Sequence, residues 1–185
     1  VIKSIVSTRL ADAICRAYGA TMENVMTGFR YIGEKIDAYA TSGEKTFLFG
    51  FEESFGYLAG GPARDKDAIS AAMLAAEACV LCKVQGKTLY DMFNDIYARY
   101  GVYKEKVKSY TRAGKAGMEQ IAGCMAGLRR HAPAAVCGTD VTVLEDYLTS
   151  VRIRKDGSGP DTLTLPKSDV LRLELADESW IVVRP

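Results

Sequence analysis

Histidine is all but missing from this sequence. His131 is the only one among 185 residues, and it stands in Arg-Arg-His-Ala-Pro. A zinc site on the Cys79-x-x-Cys82 pair would need a second pair of ligands, and one histidine does not supply it. Neither sign of charge is in excess. Lys plus Arg number 24 and Asp plus Glu 23, for a formal net charge of +1. That excludes the basic surplus that draws a chain to nucleic acid or to an anionic membrane face, so neither is expected as a partner. No apolar run reaches the roughly 20 residues that span a bilayer. Val1 opens straight into a strand-like segment, so no signal peptide is visible in these residues. With no initiating Met, the chain is expected to be a piece of a longer protein.

Several motifs are also lacking. No G-x-G-x-x-G follows a strand, which excludes the dinucleotide fingerprint. Gly86-Lys87-Thr88 looks like the end of a P-loop, but Leu81 stands where its first glycine should be, and the element before it reads as a helix. Asp65-Lys66-Asp67 straddles a lysine and lacks EF-hand spacing, so a helix cap is the expected role.

What is present is a chain with 48% hydrophobic residues, enough for a sizeable core. Its five cysteines are an odd number, which favours free thiols and a cytoplasmic location. Cys79 and Cys82 lie in Ala71-Ala72-Met73-Leu74-Ala75-Ala76-Glu77-Ala78-Cys79-Val80-Leu81-Cys82, which reads as a buried helix with packing cysteines rather than a redox pair.

Along the chain, Ile2 to Val6 reads as a strand, Ser7 and Thr8 as caps of a helix, and Gly19 as its end. Asn24 to Met26 is a second strand candidate. After the turn Thr27-Gly28 comes a short helix around Tyr31 to Ile36, and Ser42-Gly43 leads into a strand from Thr46 to Phe49. Asp65 or Asp67 caps a long Ala-rich helix ending near Gly86. A further helix runs from about Leu89 to Tyr100, stopped by Gly101. Val102 to Tyr110 alternates and reads as an edge strand. Strands alternating with helices predict an α/β layer with parallel pairing. Past Gly114 the pattern changes. One helix, about Lys115 to Arg130, precedes strands at Val141–Val143, Val151–Arg154 and Thr162–Leu165, with a turn from Lys155 to Pro160. Leu171–Leu175 and Trp180–Val183 form a hairpin. This predicts an antiparallel α+β unit, with the domain boundary near residue 112.

Gly50-Phe51-Glu52-Glu53-Ser54-Phe55-Gly56 is the expected loop at the carboxyl end of the Thr46–Phe49 strand, where open α/β sheets bind ligands. A carboxylate there accepts from two vicinal hydroxyls at once, a serine hydroxyl adds a third bond, and flanking glycines admit close approach. The cluster suits a polyol such as a sugar; an acidic surface turn is the alternative. Arg30, Arg64 and Lys66 add cations near predicted loops on the same edge, as a phosphorylated sugar would require.

Thr27-Gly28-Phe29-Arg30-Tyr31-Ile32-Gly33, then Phe49 to Tyr57, then Arg64-Asp65-Lys66-Asp67, and finally Trp180 to Pro185 together resemble the phosphoglucomutase/phosphomannomutase (α-D-phosphohexomutase) family. The resemblance covers essentially the whole chain. It implies a three-layer α/β/α domain with a mixed sheet over residues 1–112, the third of the family's four. An incomplete α+β antiparallel-sheet domain, the start of the fourth, would fill residues 113–185. It implies sugar binding by Glu52 and Ser54, with Glu53, Gly50, Gly28, Arg30, Arg64 and Lys66 contributing, and phosphate binding by Arg184. The family's phosphoserine loop and its Asp-Gly-Asp-Gly-Asp-Arg Mg²⁺ loop have no counterpart here. Mg²⁺ and a glucose 1,6-bisphosphate-type activator are therefore expected in the parent and not on this piece, which should be inactive alone. The expected parent interconverts hexose 1-phosphate and hexose 6-phosphate through a phosphoserine, and phosphoglucomutase is the leading reading. Phosphomannomutase, phosphopentomutase and a standalone sugar-phosphate-binding module are the alternatives. Expected partners are the sugar phosphate and the missing N-terminal domains.

Overall fold

Short strands and helices alternate from Ile2 onward: β1 (Ile2–Ser4), α1 (Leu10–Ala17), β2 (Glu23–Val25), α2 (Phe29–Ser42), β3 (Phe49–Glu52), β4 (Gly56–Ala59), α3 (Ala68–Val84) and α4 (Leu89–Tyr100). These belong to the first of two units, Val1–Lys106 and Val107–Pro185, in a computed structural model that describes residues 1–185. The strand order is β2-β1-β3-β4. β1 runs parallel to β2 and to β3, and β4 returns antiparallel to β3. The β1-to-β2 and β2-to-β3 crossovers step in opposite directions along the sheet, so right-handed connections put α1 and α2 on opposite faces, which makes three layers around a mixed sheet.

The core of this unit lies under α2. Phe29, Ile32 and Ile36 recur at helical spacing and pack with Ile2, Val25 and Leu58 from the sheet. α2 is much longer than the sequence reading, because this apolar stripe continues past Ile36 to Tyr39. Asp67 is the residue that caps α3, accepting from the Ile69 and Ser70 amides at 2.9 and 3.3 Å. Thr88 closes a capping box with Asp91 at the head of α4, so Gly86-Lys87-Thr88 marks a helix start.

Three expectations about this unit are corrected. β3 starts at Phe49 and runs to Glu52, so Gly50 to Gly56 is a β-hairpin rather than a loop beyond a strand. Val102 to Tyr110 forms no strand. Val102, Val107 and Tyr110 are all exposed, so its alternation buries no face, and the segment contains the boundary between the two units. α3 is not a buried helix. Cys82 is buried, but Ile69, Met73, Val80, Val84 and Cys79 are exposed; the helix follows the last strand of the sheet and packs mainly on β4 and α4. All five cysteines are free, and no single helix is long and apolar enough to cross a membrane.

The second unit consists of α5 (Gly114–Arg130) and six strands: β5 (Ala135–Val136), β6 (Thr139–Asp146), β7 (Val151–Arg154), β8 (Pro160–Thr162), β9 (Leu171–Leu175) and β10 (Trp180–Val183). They pair antiparallel in the order β10-β9-β6-β7-β8, with β5 on β6. Alternation gives β6 and β9 one apolar face, with Val141, Leu173 and Leu175 at its core, and one charged face. On the charged face Glu145 is buried and accepts from Arg152 Nε at 2.7 Å, Arg172 Nη1 at 2.9 Å and Tyr147 Oη at 2.8 Å. Burial acts to raise the Glu145 carboxyl. The Arg172 guanidinium, with Tyr147 and Arg152, outweighs burial and holds the group below the ordinary carboxylate range. The strand expected at Thr162–Leu165 lies earlier, at Pro160–Thr162. Asp161 stands opposite Arg152 and binds Arg154 at 2.6 Å, and the missing N–H of Pro160 is tolerated because β8 is an edge.

Candidate functional site

The β3–β4 hairpin pairs Glu52 with Gly56, leaving Glu53, Ser54 and Phe55 as its turn. Phe55 closes that turn at φ 60°, left-handed for a residue that is not glycine, with its ring 87% exposed. A bulky residue held there costs about 1–2 kcal/mol, a strain typical of functional loops. Nothing in the sequence flagged it, because a left-handed phenylalanine has no compositional signal.

Glu52 is the last residue of β3, and strand alternation turns its side chain toward α2. It is only 4% exposed. One carboxylate oxygen accepts from the Gly28 amide at 2.5 Å, and the other lies 3.8 Å from Lys66 Nζ. Gly28 is the N-cap of α2 and sits at φ 121°, a conformation that glycine alone adopts readily. α2 has no side-chain cap of its own and no acidic residue in its first turn, so Glu52 supplies the negative group at the positive end of that helix. A carboxylate has about four acceptor sites, so Glu52 keeps capacity beyond these two partners. The Lys66 ammonium also faces the Phe29 ring at 5.8 Å, and its side chain is about half exposed.

Glu53 points the other way. Its Oε2 accepts from Ser4 Oγ at 2.8 Å and lies 3.4 Å from Ser7 Oγ. Ser4 and Ser7 are 0% and 1% exposed, and their hydroxyls are 2.9 Å apart. Beneath them the buried Lys3 ammonium donates to the Ser7 carbonyl at 3.3 Å and pairs with Asp12 at 3.1 Å. Ser7 read as a helix cap in the sequence. It serves the hairpin instead; the N-cap of α1 is Arg9, which makes no side-chain cap bond, and Thr8 only closes a local turn ahead of the helix, accepting from the Leu10 amide at 3.2 Å.

The remaining expected residues divide. Ser54 is exposed in the turn. Gly50 does not admit a ligand. A Cβ there would meet Ile32 Cγ2 at 2.7 Å and the Phe47 ring at 3.2 Å, so this glycine lets α2 lie close on β3. Gly56 plays the ligand-approach part no better, since the Lys66 stem crosses it, 2.7 Å from where a Cβ would be. Arg30 is exposed, with Nη2 2.7 Å from the Tyr31 hydroxyl. Arg64 is drawn into its own loop. It pairs with Asp37 of α2 and donates to the carbonyls of Pro62 and Ala63 at 2.9 and 3.1 Å. Arg184 follows β10 in the second unit. No group of three or more His, Cys, Asp or Glu side chains converges on a common point.

The chain is similar to known proteins along its whole length. Residues 1–100 match the family model described as phosphoglucomutase/phosphomannomutase, alpha/beta/alpha domain III. It is 36% identical over 185 residues to the phosphoglucomutase of Staphylococcus haemolyticus, covering all of this chain and 33% of that protein. It is 35% identical over 186 residues to the phosphoglucomutase of Staphylococcus saprophyticus, with the same coverage. Among solved structures it resembles the Paramecium phosphoprotein pp63/parafusin, a phosphoglucomutase, in its open form. The TM-score is 0.61 at 16% identity, over 99% of this chain and 29% of that one, which speaks to the fold alone. The family model covers more than half of the chain, and the two phosphoglucomutases match all of it. This chain belongs to the phosphoglucomutase/phosphomannomutase family, and it spans about a third of the length of the curated relatives it matches.

Proposed function

We propose that this chain is the sugar-gripping part of a phosphohexomutase that moves a phosphoryl group between the C1 and C6 oxygens of a hexose, with glucose phosphate as the leading substrate. The observation that carries the reading is the pairing of Glu52 with Lys66 at the carboxyl end of β3, with the exposed Ser54 hydroxyl two residues on. A sugar hydroxyl donates to Glu52, where the Lys66 ammonium also reaches, and a neighbouring hydroxyl exchanges a hydrogen bond with Ser54. Arg30, exposed in the first turn of α2, is the cation this unit offers to a phosphate, and in the second unit the family resemblance gives Arg184 a phosphate-binding role. The reaction visits two orientations of the sugar, and vicinal hydroxyls related by a flip satisfy one carboxylate either way. Phosphoryl transfer depends on positioning and charge stabilisation, and this chain contributes the positioning. In this reading the phosphoserine, the Mg²⁺ and the bisphosphate activator belong to the remainder of a cytoplasmic parent, and the 185-residue chain alone has no mutase activity.

Two measurements test it. In the full-length parent, Glu52→Gln or Ser54→Ala lowers kcat/KM by roughly 10-fold or more, the scale of one charged hydrogen bond. In the 185-residue chain, glucose 1-phosphate shifts the amides of residues 50–56 in an NMR titration. Wild-type kinetics in both variants would remove the hairpin from the site. Side-by-side assay with mannose 1-phosphate and ribose 1-phosphate fixes the preferred sugar.

A further inference from the structure

We infer that Glu53 is a positioning residue, which sets the place of Ser54 by tying the hairpin turn to the end of β1; the inference rests on the sugar-grip reading of Glu52 and Ser54. Two adjacent carboxylates look like one acidic patch, but the structure gives them separate anchors. Glu52 is tied to the turn after β2 through the Gly28 amide, and Glu53 to the turn after β1 through Ser4 and Ser7. In strand order β1 lies between β2 and β3, so the hairpin is fastened to the exit of its parallel neighbour β1 and to that of β2, one strand further on.

Of the turn residues, Ser54 and Phe55 are exposed, and only Glu53 reaches inward. Ser54 is its covalent neighbour, and Phe55 holds a left-handed conformation that the turn must enforce. The anchor is solid because it is buried. Ser4 and Ser7 have no exposure to speak of, and a buried hydroxyl without an acceptor is costly. Their mutual contact uses one hydroxyl proton, and the other has Glu53 Oε2 as its acceptor. Lys3, 3% exposed and bonded to the Ser7 carbonyl, stiffens the same turn from below. Ser54 is thereby held where its hydroxyl meets the sugar without a search among turn conformations.

The test is a set of kinetic cycles in the full-length parent, with the order of the turn measured on the 185-residue chain. Glu53→Ala lowers kcat/KM by roughly 5- to 30-fold, and Glu53→Gln, whose carbonyl oxygen still accepts from Ser4, keeps distinctly more. Ser4→Ala, at a fully buried position, loses activity in the same direction, and the Ser4→Ala/Glu53→Ala double variant is no worse than the poorer single one. In a Ser54→Ala background, Glu53→Ala costs less than about twofold, because its effect passes through Ser54. Heteronuclear NOE values at the Ser54 and Phe55 amides fall in Glu53→Ala while those of α2 do not. If the Glu53 and Ser54 losses multiply, or the turn stays ordered in Glu53→Ala, the positioning role is overturned. If Glu52→Gln and Ser54→Ala are themselves silent, it is the sugar-grip reading that fails.

Discussion

A methyl group at Gly33 should weaken this protein even though it improves a helix. Gly33 lies in the middle of α2, where replacing glycine by alanine normally stabilises by about 1 kcal/mol. Here a Cβ would stand 2.6 Å from the carbonyl oxygen of Arg64 and 3.6 Å from its carbon. Ordinary contact begins near 3.4 Å, so about 0.8 Å must be found from backbone on one side or the other. α2 is poorly placed to give way, since Ile32 and Ile36 beside Gly33 are 0% and 5% exposed. Ile32 also fills the space above Gly50. Overpacking of this kind costs typically 1–3 kcal/mol. The net expectation is a loss of about 0–2 kcal/mol, or up to roughly 10 °C in Tm for a unit of this size. The loop from Pro62 to Lys66 should absorb the strain, carrying Lys66 away from Glu52. Gly123→Ala in α5, where nothing lies within 4 Å of the new carbon, is the control and should stabilise. Urea midpoints of both variants and the Lys66 amide shift decide the matter. A Gly33→Ala protein more stable than wild type, with the Lys66 amide unmoved, would show that the approach of α2 to this loop is not tight.

Two further outcomes are expected. Glu145→Ala should destabilise by about 3–5 kcal/mol in denaturant melts, because it strands the mostly buried Arg172 guanidinium and frees Arg152, although each keeps a lesser acidic partner. For Glu23, burial is opposed by the Lys45 and Lys35 ammoniums, which pair with its two carboxylate oxygens, and by the neighbouring Tyr39, and together they bring its carboxyl from an ordinary 4.5 to about 2. A folded value below the unfolded one means stability fully present above about 4.5 and lost as pH falls toward about 2. Glu23→Gln should flatten that part of an acid titration followed by circular dichroism.

Much of the fold was legible because punctuation residues sit where the chain turns. Thr88 and Gly101 bracket α4, and the Leu171–Leu175 and Trp180–Val183 alternation gives a hairpin with the bounds that the sequence suggested. β4 was not legible. Gly56-Tyr57-Leu58-Ala59 has little strand propensity of its own, and it is made a strand by pairing with Phe49–Glu52 across the turn. α3 misled for the opposite reason. Its composition is apolar on every side, and composition does not say how many neighbours a helix has. In the site, Glu52 and Ser54 were readable as chemistry next to glycines. The roles of those glycines were not, because Gly50 and Gly56 answer to Ile32 and Lys66, both distant in sequence. Ser4 and Ser7 were invisible as site residues, since their partner lies more than 40 positions along the chain.

The Glu52–Gly28 bond has a consequence for how the molecule opens. α2 begins without a cap from its own sequence and takes one from β3, 24 residues later. The first turn of the helix is therefore complete only when the hairpin is in place, and the hairpin loses an anchor whenever that turn frays. Helix start and hairpin form one cooperative opening unit, so their amides should exchange with solvent together, at a common free energy, rather than as a loose loop beside a stable helix.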